Sequence, residues 1–214
     1  FTVSSILREQ ISSWNKKAES FKVIQNGYED DRFNLSAEPL GIKKKLGLKG
    51  KMVVFVGALG PWHGIEELGQ IAKTNPSINV IVAGGGYGEN MPDADNLHHI
   101  GRLDRDEVPR LLVEADIGLA PYPNIDYGFS PLKIYEYMGC KLPVVATLLP
   151  SVEEATQGHA ILVRPGQMSD AISKVIDNEN LLSELANSAF SYASKERTWS
   201  VTIKKTISLY EELL

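Results

Sequence analysis

Residues 115–147 read ADIGLAPYPNIDYGFSPLKIYEYMGCKLPVVAT and contain the alternation of elements that decides the fold. The apolar runs Ile117–Ala120 and Pro143–Ala146 are short and continuous, which is typical of strands covered on both faces of a sheet. Between them, Ser130 is a favourable N-cap and Pro131 a favourable first residue, so a helix is predicted to begin there. A strand, a helix and a second strand in this order predict a parallel βαβ unit.

The same alternation continues on both sides of this unit. Four further apolar runs predict strands at Met52–Val56, Ile78–Ala83, Leu97–Ile100 and Ala160–Val163. Apolar residues at helical spacing separate most runs and continue to the C-terminus, as at Ile203, Ile207, Tyr210 and Leu214. The sequence therefore predicts an α/β, Rossmann-like, doubly wound parallel sheet of about six strands. Such sheets bind ligands at the carboxyl ends of their strands.

The composition is that of an ordinary globular protein. Of the 214 residues, 43% are hydrophobic and 23% are charged, which excludes a largely disordered chain. Lysine and arginine number 22 against 27 acidic residues, so the net charge is −5 and a nucleic-acid partner is not expected. The single cysteine, Cys140, excludes a disulfide framework. No apolar run approaches the ~20 residues that span a bilayer.

Several local patterns predict how elements begin. Phe1–Ser5 is predicted to be a strand, and residues 25–41, which lack periodicity, are predicted to form a linker. Asp104–Glu107 and Ser151–Glu154 have the spacing of capping boxes, in which the first side chain caps the helix. Because the chain starts with Phe1 rather than Met, we interpret it as an excised piece of a longer protein.

The segment after the first predicted strand, residues 56–64, contains Gly57 and Gly64 before a helical pattern. The amides that begin this helix would face the crevice and favour an anion. The alternative, a plain strand-to-helix turn with a packed Trp62, fits the segment equally well.

A second glycine-rich segment, residues 83–88, follows the next strand and includes Gly85. A dinucleotide fingerprint is not expected, because the spacing that starts at Gly84 requires glycine where Glu89 stands. A tight loop whose backbone faces a ligand remains the interpretation.

The third loop, residues 98–102, ends in Arg102, which either reaches a ligand or is an ordinary surface arginine. Its two adjacent histidines point to opposite faces of a strand and cannot bind one metal ion together. The Asp-x-Asp triplets at 93–95 and 104–106 are interpreted as loop and cap residues. No metal site is therefore expected.

The helix predicted from Ser130 carries the strongest signal. The amides of Leu132 and Lys133 would face the crevice, and together with the lysine charge they predict a pyrophosphate cradle. Glu136 lies one turn further along the same face, where a carboxylate accepts hydrogen bonds from a diol such as ribose. The alternative is an exposed Lys133–Glu136 pair worth ~0.3 kcal/mol.

Taken together, these segments resemble the glycosyltransferase group 1 family (family four of the GT-B type). The resemblance covers nearly the whole chain and rests on five runs: residues 56–65, 84–86, 100–103, 115–121 and 128–145. It implies a protein with two Rossmann-like domains, in which the second binds the nucleotide sugar. The chain would then be one half of a GT-B fold.

The resemblance also implies roles for particular residues. Glu136 matches the carboxylate that holds the ribose, the run from Ser130 matches the helix start that binds the diphosphate, and the loop at Ile100 matches the one that lines the base. Lys133 and Glu136 are the implied catalytic residues. The implied donor-binding residues are Gly57, His63, Gly64, Gly85, Ile100, Gly101, Arg102, Ser130, Pro131, Leu132, Lys133 and Glu136.

The chain departs from the family pattern at three positions. Ala58 and His63 stand where the family often has arginine and lysine, and Gly128 stands where the paired acidic motif has its first glutamate. A protonated His63 would supply part of the positive charge that binds the phosphate, and Asp126 would replace the missing acid if the loop is longer.

We therefore expect the donor-binding domain of a retaining, hexosyl-type glycosyltransferase that needs no metal ion or other cofactor. Residues 1–26 would be a remnant of the acceptor domain and the interdomain passage, residues 27–200 the nucleotide-sugar-binding domain, and residues 201–214 a C-terminal helix. The fragment alone is expected to bind a donor without transferring the sugar. The base, the sugar, the acceptor and the oligomeric state stay open.

The expected partners are the nucleotide-sugar donor and the missing acceptor domain, and the expected location is the cytoplasm. Association with the inner face of the cell membrane would occur only through the missing domain. One alternative function is a degenerate, non-catalytic GT-B-like domain that serves as a scaffold or regulatory partner. Another, a Rossmann-type epimerase or dehydrogenase, is weakened by the failed glycine spacing.

Overall fold

The computed structural model describes residues 1–60, 63–86, 91–125 and 127–212. Over these residues the strands form one parallel sheet in the order β3-β2-β1-β4-β5-β6. The strands are β1 (Met52–Val56), β2 (Asn79–Ala83), β3 (Leu97–His99), β4 (Ile117–Ala120), β5 (Val144–Thr147) and β6 (Ile161–Val163). The predicted fold class is confirmed, and each strand end lies within one residue of its predicted position.

The helices of the described residues follow the strands in alternation. They are α1 (Ser5–Trp14), α2 (Ile42–Lys45), α3 (Ile65–Thr74), α4 (Glu107–Leu112), α5 (Leu132–Gly139), α6 (Pro150–Thr156), α7 (Met168–Val175), α8 (Glu179–Glu196) and α9 (Trp199–Glu211). A short 3-10 helix, Lys16–Ser20, follows α1. In the part of the chain that the structure describes, no helix combines the length and apolarity needed to cross a membrane.

The sheet is covered on both faces, which explains why its strands are continuously apolar. Val53 and Phe55 of β1 pack with residues of α3 and α7, whereas Met52 and Val54 pack on the opposite side with residues of α5 and α8. This alternation is the two-residue period of a strand. Because both faces are buried, apolar residues are needed at every position.

The strand order reverses between β1 and β4, which places a crevice at their carboxyl ends. Tyr137 of α5 fixes this region, because its hydroxyl accepts a hydrogen bond from the Val56 amide (2.9 Å) and donates one to the Leu119 carbonyl (3.3 Å). Its ring fits because Gly118 has no side chain; a Cβ there would lie 2.5 Å from Cδ2 of the ring. The helix that begins at the crevice is thus held to both neighbouring strands.

The prediction of a strand at Phe1–Ser5 is wrong. Within it, Thr2 makes an isolated parallel bridge with Val23, and α1 begins already at Ser5. The Ser4 hydroxyl accepts a hydrogen bond from the Leu7 amide at 3.1 Å. Because Ser4 caps the helix that begins at Ser5, these two residues cannot continue a strand.

The two predicted capping boxes have different outcomes. At the first, Glu107 accepts a hydrogen bond from the Asp104 amide (2.9 Å), but the helix begins only at Glu107 and no side chain caps it. The second is wrong, because α6 already begins at Pro150 and its box residues serve other elements. Ser151 accepts from the Phe129 amide, and Glu154 binds the amide and hydroxyl that begin α1.

The predicted linker, residues 25–41, is packed against the domain. Tyr28 and Phe33 within it are buried, and the Tyr28 backbone pairs with Arg197 and Trp199 at the junction of α8 and α9. The helix predicted at the C-terminus is confirmed as α9, with Leu214 outside the described residues.

Removing the Tyr137 hydroxyl tests how α5 is held. We expect Tyr137→Phe to lower the free energy of unfolding by roughly 1–3 kcal/mol, because it leaves the Val56 amide and the Leu119 carbonyl without this partner in the core. Urea unfolding measures the change. Tyr210→Phe on α9 is the matched control, since Tyr210 is 57% exposed and its variant should be nearly neutral. Equal effects of the two variants would contradict the assignment.

Candidate functional site

Two clefts lie at the carboxyl edge of the sheet: Lys133 lines one of them, and Gly57, which lies beside the Lys133 nitrogen, lines the other. The glycine cleft has a volume of about 270 Å³ and is lined by Val56, Gly57, Ala58, Ala83, Gly84, Gly85, Arg102, Leu103 and Val108. The aromatic cleft has a volume of about 240 Å³ and is lined by His63, Tyr122, Ile125, Tyr127, Phe129, Ser130, Pro131, Leu132 and Lys133.

The glycine cleft forms because the loops after β1 and β2 approach each other closely, with no side chain between Gly57 and Gly84. A Cβ on Gly84 would lie 1.8 Å from the Gly57 carbonyl oxygen, and a Cβ on Gly85 would lie 2.8 Å from Nε of Arg102. Gly84 also has a φ of 153° that side chains rarely adopt. Glycine is therefore required for the fold of this cleft, and it leaves the backbone open to a ligand.

The aromatic cleft is walled by rings that contact one another. Tyr122 meets Phe129 edge to face, with ring centroids 5.1 Å apart, and Tyr127 lies 6.2 Å from Phe129. The His63 ring lies 6.3 Å from Tyr122 and 5.7 Å from Phe55. Such rings offer flat apolar faces beside the helix start.

The start of α5 differs from its prediction. The predicted cap at Ser130 is wrong, because the helix begins at Leu132 with Pro131 in the cap position and no side-chain cap. Pro131 adopts a ψ of 78°, and this tight turn brings the Leu132 amide to the Ser130 carbonyl at 3.1 Å. Of the two amides predicted to face the crevice, only that of Lys133 has no hydrogen bond to a described residue.

Lys133 is a buried cation between the two clefts. Within the described residues its Nζ atom has no hydrogen-bond partner, and it lies 4.2 Å from the Phe55 ring centroid and 5.5 Å from that of Tyr122. A Cβ on Gly57 would be 2.9 Å from this nitrogen. Burial lowers the pKa of Lys133 to about 7, although Glu136 opposes the shift. A buried ammonium without an acceptor favours binding of an anion.

Glu136 is the other charged side chain of α5 and is half-buried. Burial raises its pKa to about 7; Arg105 and Lys133 act against the shift, whereas Glu29 adds to it. Over the described part of the chain its carboxylate makes no hydrogen bond and no ion pair, including with Lys133, and it lines neither cleft. The alternative of an exposed Lys133–Glu136 pair is therefore wrong, because the two side chains make no ion pair and the Lys133 nitrogen is buried.

An ion-pair network lies beside Glu136 and was not predicted. Glu29 pairs with Arg32 (2.7 Å) and with Arg105, and Arg32 also pairs with Asp106. These residues come from the predicted linker and from the loop before α4. The sequence predicts only a capping role for residues 104–107, and nothing in their spacing indicates a contact with Glu29.

The remaining predicted residues have separate positions. Burial, followed by the charge of Lys133, lowers the pKa of His63 to about 4, so this imidazole is neutral at neutral pH. Gly64 has a φ of 56° and packs on Pro121 where α3 begins. Ile100 and Gly101 line neither cleft, and the Gly101 carbonyl accepts from the amide of Gly84 (2.8 Å).

The structure thus brings two groups of predicted residues together. Gly57, Gly85 and Arg102 line the glycine cleft. His63, Ser130, Pro131, Leu132 and Lys133 line the aromatic cleft. Phe55 and Tyr122 were not predicted as site residues. The sequence feature that could have indicated them is an aromatic residue at or just after the end of a strand.

Two positions bear on the departures from the family pattern. Asp126 lies outside the described residues. At Gly128 a Cβ would lie 2.2 Å from the Leu7 amide nitrogen, so the place of the missing acid has no room for a side chain in this arrangement. Over the described residues, no three His, Cys, Asp or Glu side chains are placed to hold a metal ion.

Comparison with known proteins identifies relatives for most of the chain. Residues 50–178 match the family model of the Glycosyl transferases group 1. A D-inositol 3-phosphate glycosyltransferase of Mycolicibacterium gilvum is 32% identical over 129 residues, which are 54% of this chain and 27% of that protein. An uncharacterized glycosyltransferase of Methanocaldococcus jannaschii is 23% identical over 209 residues, covering 90% of this chain and 53% of that protein.

Solved structures share the fold. Anabaena HepE, crystallised with UDP and glucose, superposes with a TM-score of 0.84 at 21% identity, over 100% of this chain and 62% of that one. A sucrose-phosphate synthase from Thermosynechococcus elongatus gives a TM-score of 0.81 at 18% identity, over 99% and 57% of the two chains. The chain therefore spans between about a quarter and two thirds of the length of these proteins.

Replacing the buried ammonium tests its energetic role. Since the pKa of Lys133 falls from 10.5 to about 7 on folding, the unfolded chain holds a proton that the folded one has released between these pH values. Stability should therefore rise with pH across this window. We expect Lys133→Met to raise the free energy of unfolding by roughly 1–3 kcal/mol at pH 7, with a smaller gain at pH 10.

Denaturant unfolding at several pH values measures these differences. Lys204→Met, at an exposed position of α9, is the matched control and should change stability little at any pH. A Lys133→Met variant less stable than the parent at pH 7 would show that the ammonium is not a buried unpaired charge.

Proposed function

Because the chain belongs to the Glycosyl transferases group 1 family, we propose that it is the part of a glycosyltransferase that binds a nucleoside-diphosphate sugar. The observation that carries the proposal is Lys133, a buried cation without a hydrogen-bond partner among the described residues, between two clefts at the switch point of the sheet. A diphosphate would supply the missing acceptors and the opposite charge.

The two clefts suggest how the donor lies. With the diphosphate at Lys133, the nucleoside would occupy one cleft and the sugar the other. We assign the nucleoside to the glycine cleft, because Glu136 interacts electrostatically with Arg105 in the loop that continues from Arg102 and Leu103. A ribose that extends past the lining of this cleft toward Arg105 would meet Glu136, which lines neither cleft, and the sugar would lie on the rings of the aromatic cleft.

The chemistry that this placement permits is electrostatic. As the bond between sugar and diphosphate breaks, negative charge develops on the leaving group, and the Lys133 ammonium and its backbone amide would stabilise it. Lys133 thus supplies positive charge that a metal ion provides in other enzymes, so we propose a metal-independent reaction. Retention of configuration follows from the family resemblance and is part of the proposal.

The complete reaction needs more than the chain contains. The curated relatives are longer, and this chain covers 27% to 53% of the two compared above. We propose that the acceptor binds mainly to a further domain and that residues 1–214 alone bind the donor without efficient transfer. HepE was crystallised with UDP and with UDP-glucose, which makes uridine nucleotides the first probes to try.

A second candidate function is a scaffold or regulatory domain that has lost catalysis. It is favoured by the neutral His63 in place of the usual lysine and by the closed position at Gly128. The open clefts and the Lys133 nitrogen, which has no hydrogen-bond partner among the described residues, favour donor binding instead. Binding of nucleotides distinguishes the two functions.

Calorimetric titration with UDP, GDP and ADP tests donor binding. We expect at least one of them to bind at concentrations below the millimolar range, through the Lys133 cation and the free amide beside it. The absence of heat with all three would contradict the proposal and favour the scaffold. A base preference would identify the nucleotide of the donor.

Truncation of Glu136 tests the ribose contact. We expect Glu136→Ala to weaken the binding of that nucleotide by about 1–3 kcal/mol, roughly 5- to 150-fold, because charged hydrogen bonds to the ribose hydroxyls are lost. Glu184→Ala, at an exposed position of α8, is the matched control and should leave the affinity unchanged. An unchanged affinity in Glu136→Ala would remove this residue from the site.

A further inference from the structure

We infer that Lys133 takes up a proton from solvent when the diphosphate binds, so that the site binds the anion and a proton together. The inference rests on the proposed function and concerns the regulation of the same site by pH. No bond of the nucleotide changes in this step. The proton comes from water or buffer and is returned when the nucleotide leaves.

The geometry of the empty site is the first support. The Lys133 nitrogen is enclosed by the Phe55 ring, the Tyr122 ring and the backbone of Gly57. These groups exclude water, and no described residue accepts a hydrogen bond from the nitrogen. Ring faces stabilise an ammonium more weakly than water or an anion does. The empty site therefore favours the neutral amine, and an incoming anion reverses that preference.

The titratable groups that face Lys133 from the surrounding elements leave its pKa near neutral pH. The segment before α3 contributes His63, whose imidazole is neutral, and the segment after β4 contributes Tyr122, an uncharged phenol whose pKa burial raises. Glu136 is the nearby acid on α5, and Arg105 lies beyond it. With the pKa of Lys133 at about 7, a nearby diphosphate moves the group to its charged form.

The proton uptake should depend on pH in one direction. Above pH 7 an increasing share of Lys133 is neutral in the empty site, so binding should take up a proton there. Affinity should therefore fall as the pH rises above 7, by up to about tenfold per pH unit.

Calorimetry in buffers of different ionisation enthalpy counts these protons. The probes are UDP-glucose, GDP-mannose and ADP-glucose, whose diphosphates do not titrate between pH 6 and pH 8. We expect the probe that binds to take up about half to one proton at pH 8 and much less at pH 6, where Lys133 already holds its proton. Binding without uptake at pH 8 would overturn the inference and leave the proposed function intact, whereas absence of binding by every probe would contradict the proposed function.

Two further measurements assign the proton. Lys133→Arg has a side chain that stays charged at pH 8, so the probe should bind this variant without proton uptake, and uptake by it would overturn the assignment to Lys133. The ¹³Cε resonance of Lys133, identified by its absence in Lys133→Met, should move from the amine to the ammonium position at pH 8 when the nucleotide sugar is added. A resonance that keeps its position during saturation would also overturn the inference.

Discussion

The position of Gly57 between Gly84 and Lys133 is the constraint on which the site depends. On one side, its carbonyl oxygen occupies the space that a Cβ of Gly84 would need; on the other, the Lys133 nitrogen lies 2.9 Å from the place of its own Cβ. Any side chain at Gly57 would push the lysine away, and any side chain at Gly84 would separate the loops. The cleft, the exposed backbone and the location of the cation therefore have one steric origin.

The fold of this chain supports a site that opposes its own stability. Burial acts against the charged forms of both Lys133 and Glu136, and neither side chain has a hydrogen bond or ion pair among the described residues to offset its lost hydration. The packing around α5, including the Tyr137 hydroxyl held by two strands, keeps these residues in place against that tendency. Functional sites commonly retain such unfavourable groups because a ligand satisfies them.

The sequence predicted the fold well because the sheet is determined by a repeated pattern. Each strand is a short apolar run, and both faces of β1 are buried, so little else could accommodate residues 52–56. Helix starts were less predictable because a side chain with the spacing of a cap can instead bind a residue that is distant in the sequence. Glu154 has the spacing of a local cap, yet it binds Ser5 at the beginning of α1, and nothing in the local sequence indicates that contact.

The structure gives the predicted site residues surroundings that their spacing did not indicate. The spacing of Lys133 and Glu136 placed them on one side of α5, but spacing does not reveal that Phe55 and Tyr122 enclose the lysine. The same is true of the pKa values, which depend on burial by elements far apart in the sequence. The Glu29–Arg105 pair joins residues 76 positions apart and required the fold to be seen.

The contacts of α1 also define where this domain can be cut. Gln10 accepts a hydrogen bond from the Gly128 amide at 2.9 Å, and Glu154 holds the first turn of the same helix. Gly128 lies only a few residues before the start of α5. A recombinant version shortened to begin after Trp14 would lose these contacts to the loop before α5, so the first fourteen residues belong with the proposed site in any expression design.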